Sequence, residues 1–418
     1  MRHGGLRAGR VAVVLGVVAL SAAFTAGVSG CSSGNPPVRR AVAAGSGLAM
    51  LRPTVTASVR DGQTEVSPAQ PVTVSVAGGA VRRVTLLNPE NAVVPGAVSP
   101  DGASWHSTER LGYRRTYRLR VEAVGLAGVS DSVMTFRTVA PGNVTKPYPV
   151  PLDGELVGIG QPVVVQFDEN IADRWAAQNA VTVATDPPVP GAFYWVSNRE
   201  LHWRPEKYWA PGTKVRVDVA AYGKHLGAGV FGQDDAHVAF AVGDPVIYTA
   251  DDATKQVTVT RNGQVIRTMP TSMGKSSTPT PNGIYLVGNR VDRMVMDSST
   301  YGVPVHSAAG YRVNVDYATQ LSYNGIYMHS APWSLWAQGS QNTSHGCLNL
   351  SPSNAEWVVH SAKRGDIVVV RNTQGPVLDG ADGLGDWNMP WAQWKAGNAG
   401  PAPAPAPGPA PIQAAGTR

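Results

Sequence analysis

Cysteine is almost missing from this chain. Only two occur among 418 residues, Cys31 and Cys347. A disulfide framework is therefore excluded as the source of stability. Cys31 falls at the end of the N-terminal apolar region, which leaves Cys347 as the lone thiol of the protein's body. Charge is scarce as well: 15% of residues are ionisable Asp, Glu, Lys or Arg, with a net charge of +6. That modest excess suits an anionic wall or lipid surface, and no concentrated basic patch points to nucleic acid as a partner. Beyond the N-terminus no apolar run approaches the ~18 residues needed to span a bilayer. No Cys/His grouping has zinc spacing, and no carboxylate pair stands out for glycoside hydrolysis. Gly274-Lys275-Ser276 lacks the earlier glycine of a phosphate-binding loop, because that position holds Met269. Neither a metal nor a cofactor is expected.

What the chain has in quantity is glycine, 46 residues, and proline, 33. They separate short runs rich in Val and Thr, the pattern of a mostly-β protein. At the N-terminus, a basic stretch (Arg2, Arg7, Arg10) precedes an apolar run from Val11 to about Ala26 and then Val28-Ser29-Gly30-Cys31. This reads as a signal peptide over 1–31 whose cysteine is placed for lipidation, with an uncleaved anchor, or an ordinary signal peptide with an incidental cysteine, as the alternatives. A Gly/Pro/Ser/Ala linker follows over 32–50, and a Pro/Ala-rich tail over 399–418 lacks the side chains for a core.

Between them lies a degenerate repeat. Val72, Val74 and Val76 alternate, then come Trp105, Tyr117-x-Leu119-x-Val121 and Phe136. Val163 and Val165 alternate, then come Trp203, Val215-x-Val217-x-Val219 and Phe240. Alternation places every second side chain on one sheet face. Two immunoglobulin-like sandwiches are expected, over 51–140 and 141–243; the alternative is one larger β fold.

The region 244–372 reads as a β-rich domain with one helix. Asn262-Gly263 predicts a tight hairpin. Strands are expected at 283–287 and 323–329, and a helix capped by Ser351-Pro352 that ends at Gly365. A Trp-rich extension over 373–398 (Trp387, Trp391, Trp394) is expected to pack onto the body.

The chemistry gathers around Thr343-Ser344-His345-Gly346-Cys347-Leu348-Asn349. A thiol becomes a strong nucleophile when an imidazole takes its proton. His329, at the end of the 323–329 strand and on its less apolar face, is the candidate base. With no acid nearby in sequence, a backbone carbonyl such as that of Ser330 is the candidate that orients it. His345 is too close in sequence to reach the thiol without a contorted turn, and it reads as a structural or oxyanion-side residue. The N–H groups of Gly346 and Cys347 are candidate oxyanion donors.

His329, the Ser344-His345-Gly346-Cys347 run, Asn349 and the stretch Thr278-Pro279-Thr280-Pro281-Asn282-Gly283-Ile284-Tyr285 resemble the YkuD-type L,D-transpeptidases. The layout resembles the mycobacterial members: a lipoprotein signal, two immunoglobulin-like domains, a catalytic domain and a Trp-rich extension. The resemblance implies a Cys347 nucleophile, a His329 base oriented by the Ser330 carbonyl, and an oxyanion environment from His345, Gly346 and Cys347. It implies donor-binding positions at Tyr311, Asn324, Gly325, Asn349 and Trp333. It also implies a lid built from Met296 and 298–317, although the sequence between Met294 and Gly310 reads equally as a surface loop. In relatives of this layout an acidic loop in the second sandwich can hold a structural metal. The matching stretch 225–229 has fewer carboxylates, so none is expected here.

The implied activity joins peptidoglycan tetrapeptide stems, one as donor and one as acceptor, into 3→3 cross-links with release of D-alanine. Carbapenems are implied as covalent inhibitors, and membrane attachment through the Cys31 lipid as the location. An L,D-carboxypeptidase or endopeptidase, with water as acceptor, and a non-catalytic wall-binding lipoprotein stay open. Because every candidate catalytic residue follows 244, the fragment 244–398 is expected to fold and react without the sandwiches.

Overall fold

A computed structural model describes residues 52–307 and 310–401. The expected signal peptide, the Cys31 lipidation site, the linker and most of the Pro/Ala tail lie outside the described residues.

The first sandwich stacks the four strands that include Thr73–Ala77 and Ser104–Ser107 against the four that include Thr116–Gly125. Tyr117, Leu119, Val121 and Ala123 are buried while the residues that alternate with them face outward, as a two-residue period requires. The second sandwich repeats the plan with Val163–Phe167, Glu200–Pro205 and Lys214–Val219. Each tryptophan of the repeat lies in its own pair of sheets, Trp105 opposite Val74 and Trp203 opposite Val163. Each is also overlain by a glycine. A Cβ on Gly96 would lie 2.1 Å from the Trp105 indole, and one on Gly191 2.1 Å from the Trp203 indole. The two glycines are spaced differently from their tryptophans in sequence, so this shared feature emerges only in the fold.

The third region holds two sheets. Five strands include Val246–Asp251 and Ile367–Arg371, which run parallel at its centre. Asn262 and Gly263, with φ of 51° and 79°, make the expected hairpin at its edge. The second sheet orders Arg290–Asp297, Arg312–Gln320, Tyr327–Ser330 and Leu348–Leu350. One helix, Pro352–Ser361, is capped by Ser351 as expected and buries Ala355, Val358 and Val359. It stops at Ser361, earlier than Gly365. Gly365, at φ 78°, serves instead as the turn before the next strand, pressed against Gln161 of the second sandwich.

The Trp-rich extension packs chiefly onto that sandwich. Trp394 is fully buried, stacks on Tyr194 at 5.1 Å, and donates from Nε1 to the Ala192 carbonyl at 2.9 Å. The buried Arg204 guanidinium lies 4.4 Å from the ring centres of both Trp387 and Trp394 and 5.4 Å from that of Trp391. Such a desolvated cation against indole faces is worth roughly 2 kcal/mol or more. Leu286 and Ile367 of the third region sit in the same apolar cluster as Trp195, Trp203 and Trp209. The second sandwich and the third region therefore share a core, a contact that a 244–398 fragment would lose.

Candidate active site

Parallel pairing brings the two halves of the reactive motif together. Tyr327–Ser330 lies beside Leu348–Leu350, with His329 opposite Asn349. Cys347 is thereby delivered at the entry of one strand and His329 near the exit of its neighbour. The strand before His329 begins later than expected. Tyr323-Asn324-Gly325 forms a turn, with Gly325 at φ 91°. The alternation itself stands: Met328 enters the main core, and Tyr327 packs with Cys347, Met296 and Val315. His329 does not sit on an open face, being only 4% exposed.

Cys347, His329, His345, Tyr311, Met296, Trp333 and Asn349 line one cavity of about 320 Å³. Ser330, Gly346, Asn324 and Gly325 are not in its lining. Val313 of the expected lid and Thr343 and Ser344 of the reactive run line it too, and Ser334 and Trp336 line it without having been singled out from sequence. Gly325 is nonetheless close to the chemistry, since its carbonyl accepts from the Cys347 Sγ at 3.5 Å. The backbone N–H of Asn324 donates to Asp382 Oδ2 at 3.2 Å, and that of Tyr323 to Oδ1 at 2.9 Å, so the extension pins this turn. The Asn349 side chain donates to Ser334 Oγ at 3.0 Å and so fixes the segment after His329.

His329 Nδ1 lies 2.9 Å from the Ser330 carbonyl. A carbonyl only accepts, so Nδ1 carries the proton and Nε2 keeps the lone pair. Burial holds the His329 pKa below its ordinary value, and the Ser330 carbonyl only partly opposes this. Burial likewise pushes the Cys347 thiol up to about 11, against a weaker effect of the Tyr327 N–H. Both environments disfavour charge, so thiol and imidazole rest as a neutral pair.

The motif's backbone is held by two buried hydroxyls. Ser344 Oγ accepts from the Gly346 N–H at 3.0 Å and donates to the Cys347 carbonyl at 2.6 Å. Thr280 Oγ1 donates to the Gly346 carbonyl at 2.7 Å. Gly346 has φ of 131°, and a Cβ there would meet Ile326 at 2.9 Å. Its N–H, expected to face a developing oxyanion, is instead committed to Ser344. Glycine is required here to turn the chain and to clear Ile326. His345 is exposed on the rim, its ring 5.5 Å from Tyr311 and its Nε2 accepting from Lys275 Nζ at 3.3 Å. Partial burial, and then the Lys275 charge, hold its pKa down.

Met296 and Val313 belong to the paired strands Arg290–Asp297 and Arg312–Gln320, and together with Tyr311, just before the second strand, they line one side of the cavity. Backbone and hydroxyl bonds between Ser298 and Tyr311, 3.0 and 2.9 Å, tie the base of the loop between the two strands. In the 225–229 stretch, His225 Nε2 accepts from the Gly229 N–H at 3.3 Å. Among the described residues no group of three or more His, Cys, Asp or Glu side chains is arranged to hold a metal.

One ionic cluster lies outside the cavity. His202 is fully buried between Asp386 Oδ2, 2.8 Å from Nδ1, and Glu200 Oε1, 2.7 Å from Nε2. Burial alone would depress its pKa, but the Asp386 and Glu200 carboxylates outweigh that and push it up to about 10. Tyr323 OH donates to the same Glu200 oxygen at 3.1 Å. The cluster joins the second sandwich, the extension and the turn that touches the thiol.

With this geometry in view, comparison with known proteins is specific. Residues 63–225 match the bacterial Ig domain family, and 245–370 match the L,D-transpeptidase catalytic domain family. L,D-transpeptidase 2 of Mycobacterium tuberculosis is 55% identical over 376 residues, 89% of this chain and 92% of the relative. L,D-transpeptidase 5 of the same species is 36% identical, covering 84% of this chain and 78% of the relative. A solved structure of an L,D-transpeptidase in complex with imipenem is 39% identical with a TM-score of 0.47, covering 54% of this chain and 97% of that one. The chain belongs to the L,D-transpeptidase family, with a YkuD-type catalytic domain carried behind bacterial immunoglobulin-like modules.

Proposed function

We propose that this L,D-transpeptidase makes 3→3 peptidoglycan cross-links through an acyl-enzyme on Cys347. The observation that carries the reading is the pairing, in one cavity, of a lone thiol with a histidine whose Nδ1 is tied to a carbonyl. Nε2 of His329 takes the Sγ proton as sulfur bonds to the carbonyl carbon of the donor's third residue. The C–N bond to D-alanine then breaks, and the proton passes from the imidazolium to the leaving amine. The side-chain amine of a second stem attacks the thioester, its proton moves through His329 to sulfur, and the thiol is restored. The thioester conserves the energy of the cleaved amide, so no nucleotide is consumed. The strained amide of a carbapenem enters by the same first step and leaves a thioester that carries the whole drug. With the Gly346 N–H committed to Ser344, the Cys347 N–H is assigned to the oxyanion.

Incubation with a disaccharide-tetrapeptide tests the reading directly. Mass analysis is expected to show a cross-linked dimer and free D-alanine. Tripeptide alone would assign the enzyme to the carboxypeptidases, and unchanged substrate would reject both activities. We further propose lipid attachment through Cys31 at the outer face of the cytoplasmic membrane, based on the small residues before that cysteine. Cys31→Ala is expected to abolish incorporation of a palmitate analogue and to release the protein from the membrane fraction. Persistent labelling would reject the anchor.

A further inference from the structure

Directly after the His329 strand, the chain turns through Pro332–Ser334 and on to 340 by successive i→i+3 bonds: Ser334 N–H to the Ala331 carbonyl at 3.1 Å, Ala337 to Ser334 at 2.9 Å, and Ser340 to Ala337 at 3.0 Å. Side chains three apart in such a winding lie one above the other. Trp333 and Trp336 therefore share one side of the segment, and both line the reactive cavity. They are 51% and 68% exposed, the two most exposed tryptophans among the described residues. The backbone beneath them is fixed. Ala337 is fully buried, Ser334 is 3% exposed and held by Asn349, and Gln338 donates to the Ala331 carbonyl at 3.2 Å. Leu335, between them, is half exposed. A rigid segment thus holds a broad apolar face in water at the mouth of the site, the arrangement of a surface that awaits a ligand.

The ligand's chemistry follows from charge and reach. Trp333, Leu335 and Trp336 offer no ionic group, whereas a peptide stem carries carboxylates and an amine. The uncharged part of the substrate is its sugar, whose pyranose C–H face complements the negative face of an indole. At about 320 Å³ the cavity is near the lower end of the ~300–1,000 Å³ of small-ligand sites, enough for the reacting end of a stem. With the third residue's carbonyl at Cys347, the three stem residues and the link to the sugar span on the order of 10–15 Å along an extended chain, which carries the donor's sugar out to the cavity mouth. The acceptor's sugar, separated by a further side chain, lies farther out. Resting on the muropeptide reading above, we propose that Trp336, together with Trp333, is a stacking platform for the amino sugar of the donor stem, and that this enzyme selects glycan-attached over free stem peptides.

The test compares two donors that share one tetrapeptide, with and without the disaccharide, by the initial rate of D-alanine release, so that kcat/KM reports the acylation step whichever amine resolves the thioester. The wild type is expected to favour the sugar-bearing donor by about three- to tenfold in kcat/KM, through a lower KM. In Trp336→Ala that ratio is expected to fall to about one with kcat for the sugar-bearing donor retained, and Trp336→Tyr is expected to restore most of it. The proposal is overturned if the wild type treats both donors alike, if Trp336→Ala keeps the wild-type ratio, or if the sugar preference appears only in the acceptor step. If wild-type protein that forms a carbapenem adduct releases D-alanine from neither donor, the muropeptide reading itself falls, and the sugar platform with it.

Discussion

Cys347→Ala is expected to abolish covalent capture of a carbapenem: intact-protein mass shows one adduct on the wild type and none on the variant. The described residues contain no other cysteine, so no second thiol can substitute. His329→Ala is expected to keep the thiol but slow adduct formation by about 10²–10⁴-fold, the usual worth of a positioned base. The pH profile carries the sharper expectation. An ordinary thiol near pKa 8.5 gains about tenfold in thiolate for each pH unit below that value. Here burial raises the thiol to about 11 and lowers the His329 imidazole. The productive form is neutral thiol beside neutral imidazole. It is lost at low pH only when the imidazole protonates, below its ordinary pKa of about 6.5. The acylation rate is therefore expected to be level from about pH 7 to 10, with its acid limb displaced downward. A steep rise through pH 8 would show that a preformed thiolate is the reacting species. Adduct on Cys347→Ala would remove the nucleophile from the mechanism altogether.

The fragment 244–398 is expected to be much less stable than 141–398. Severing the second sandwich exposes Trp394, Leu286 and Ile367, and leaves Asp386 without His202. Losing one partner of a buried ion pair costs about 3–5 kcal/mol, and a large aromatic contact of the Trp394 kind about as much again. Thermal unfolding and carbapenem capture, measured on both fragments, check this. Equal melting temperatures and equal rates would make the shared core energetically irrelevant. In the full chain, His202→Ala isolates the ionic part and is expected to destabilise by about 3–5 kcal/mol, because Glu200 and Asp386 stay buried without their cation.

The reactive motif was legible in the sequence because its chemistry resides in residue identity: one thiol, two histidines, and a glycine where the chain must turn. The sandwiches were legible because Val and Leu alternate along their strands. The joint between domains was not read, although it left a trace. Glu200, His202 and Arg204 occupy every second position of one strand, which normally marks a face turned to water, yet all six residues of Glu200–Pro205 are buried. The covering segment comes from 180 or more positions later in the chain: Asp386 meets His202 and the Met389 carbonyl accepts from Arg204 at a separation of 184 and 185 residues. No local pattern announces such a partner. Three ionisable side chains of mixed sign on one strand face, followed by an extension rich in tryptophan, would have been the signal. The Gly346 N–H was misassigned for a related reason, since only the fold reveals that Ser344 Oγ already occupies it.

The indole cage around Arg204 also sets an order of events during synthesis. A ribosome makes the second sandwich early and the motif holding Cys347 later, and Trp387, Trp391 and Trp394 emerge after both. Until they do, Arg204 and His202 lack their covers, and the turn at Gly325 lacks the Asp382 carboxylate that anchors its neighbours. A nascent chain stalled just after Asn349 therefore contains every reactive atom and no finished site. Premature stop codons anywhere before Trp394 should behave as null alleles, even those that spare the whole catalytic motif.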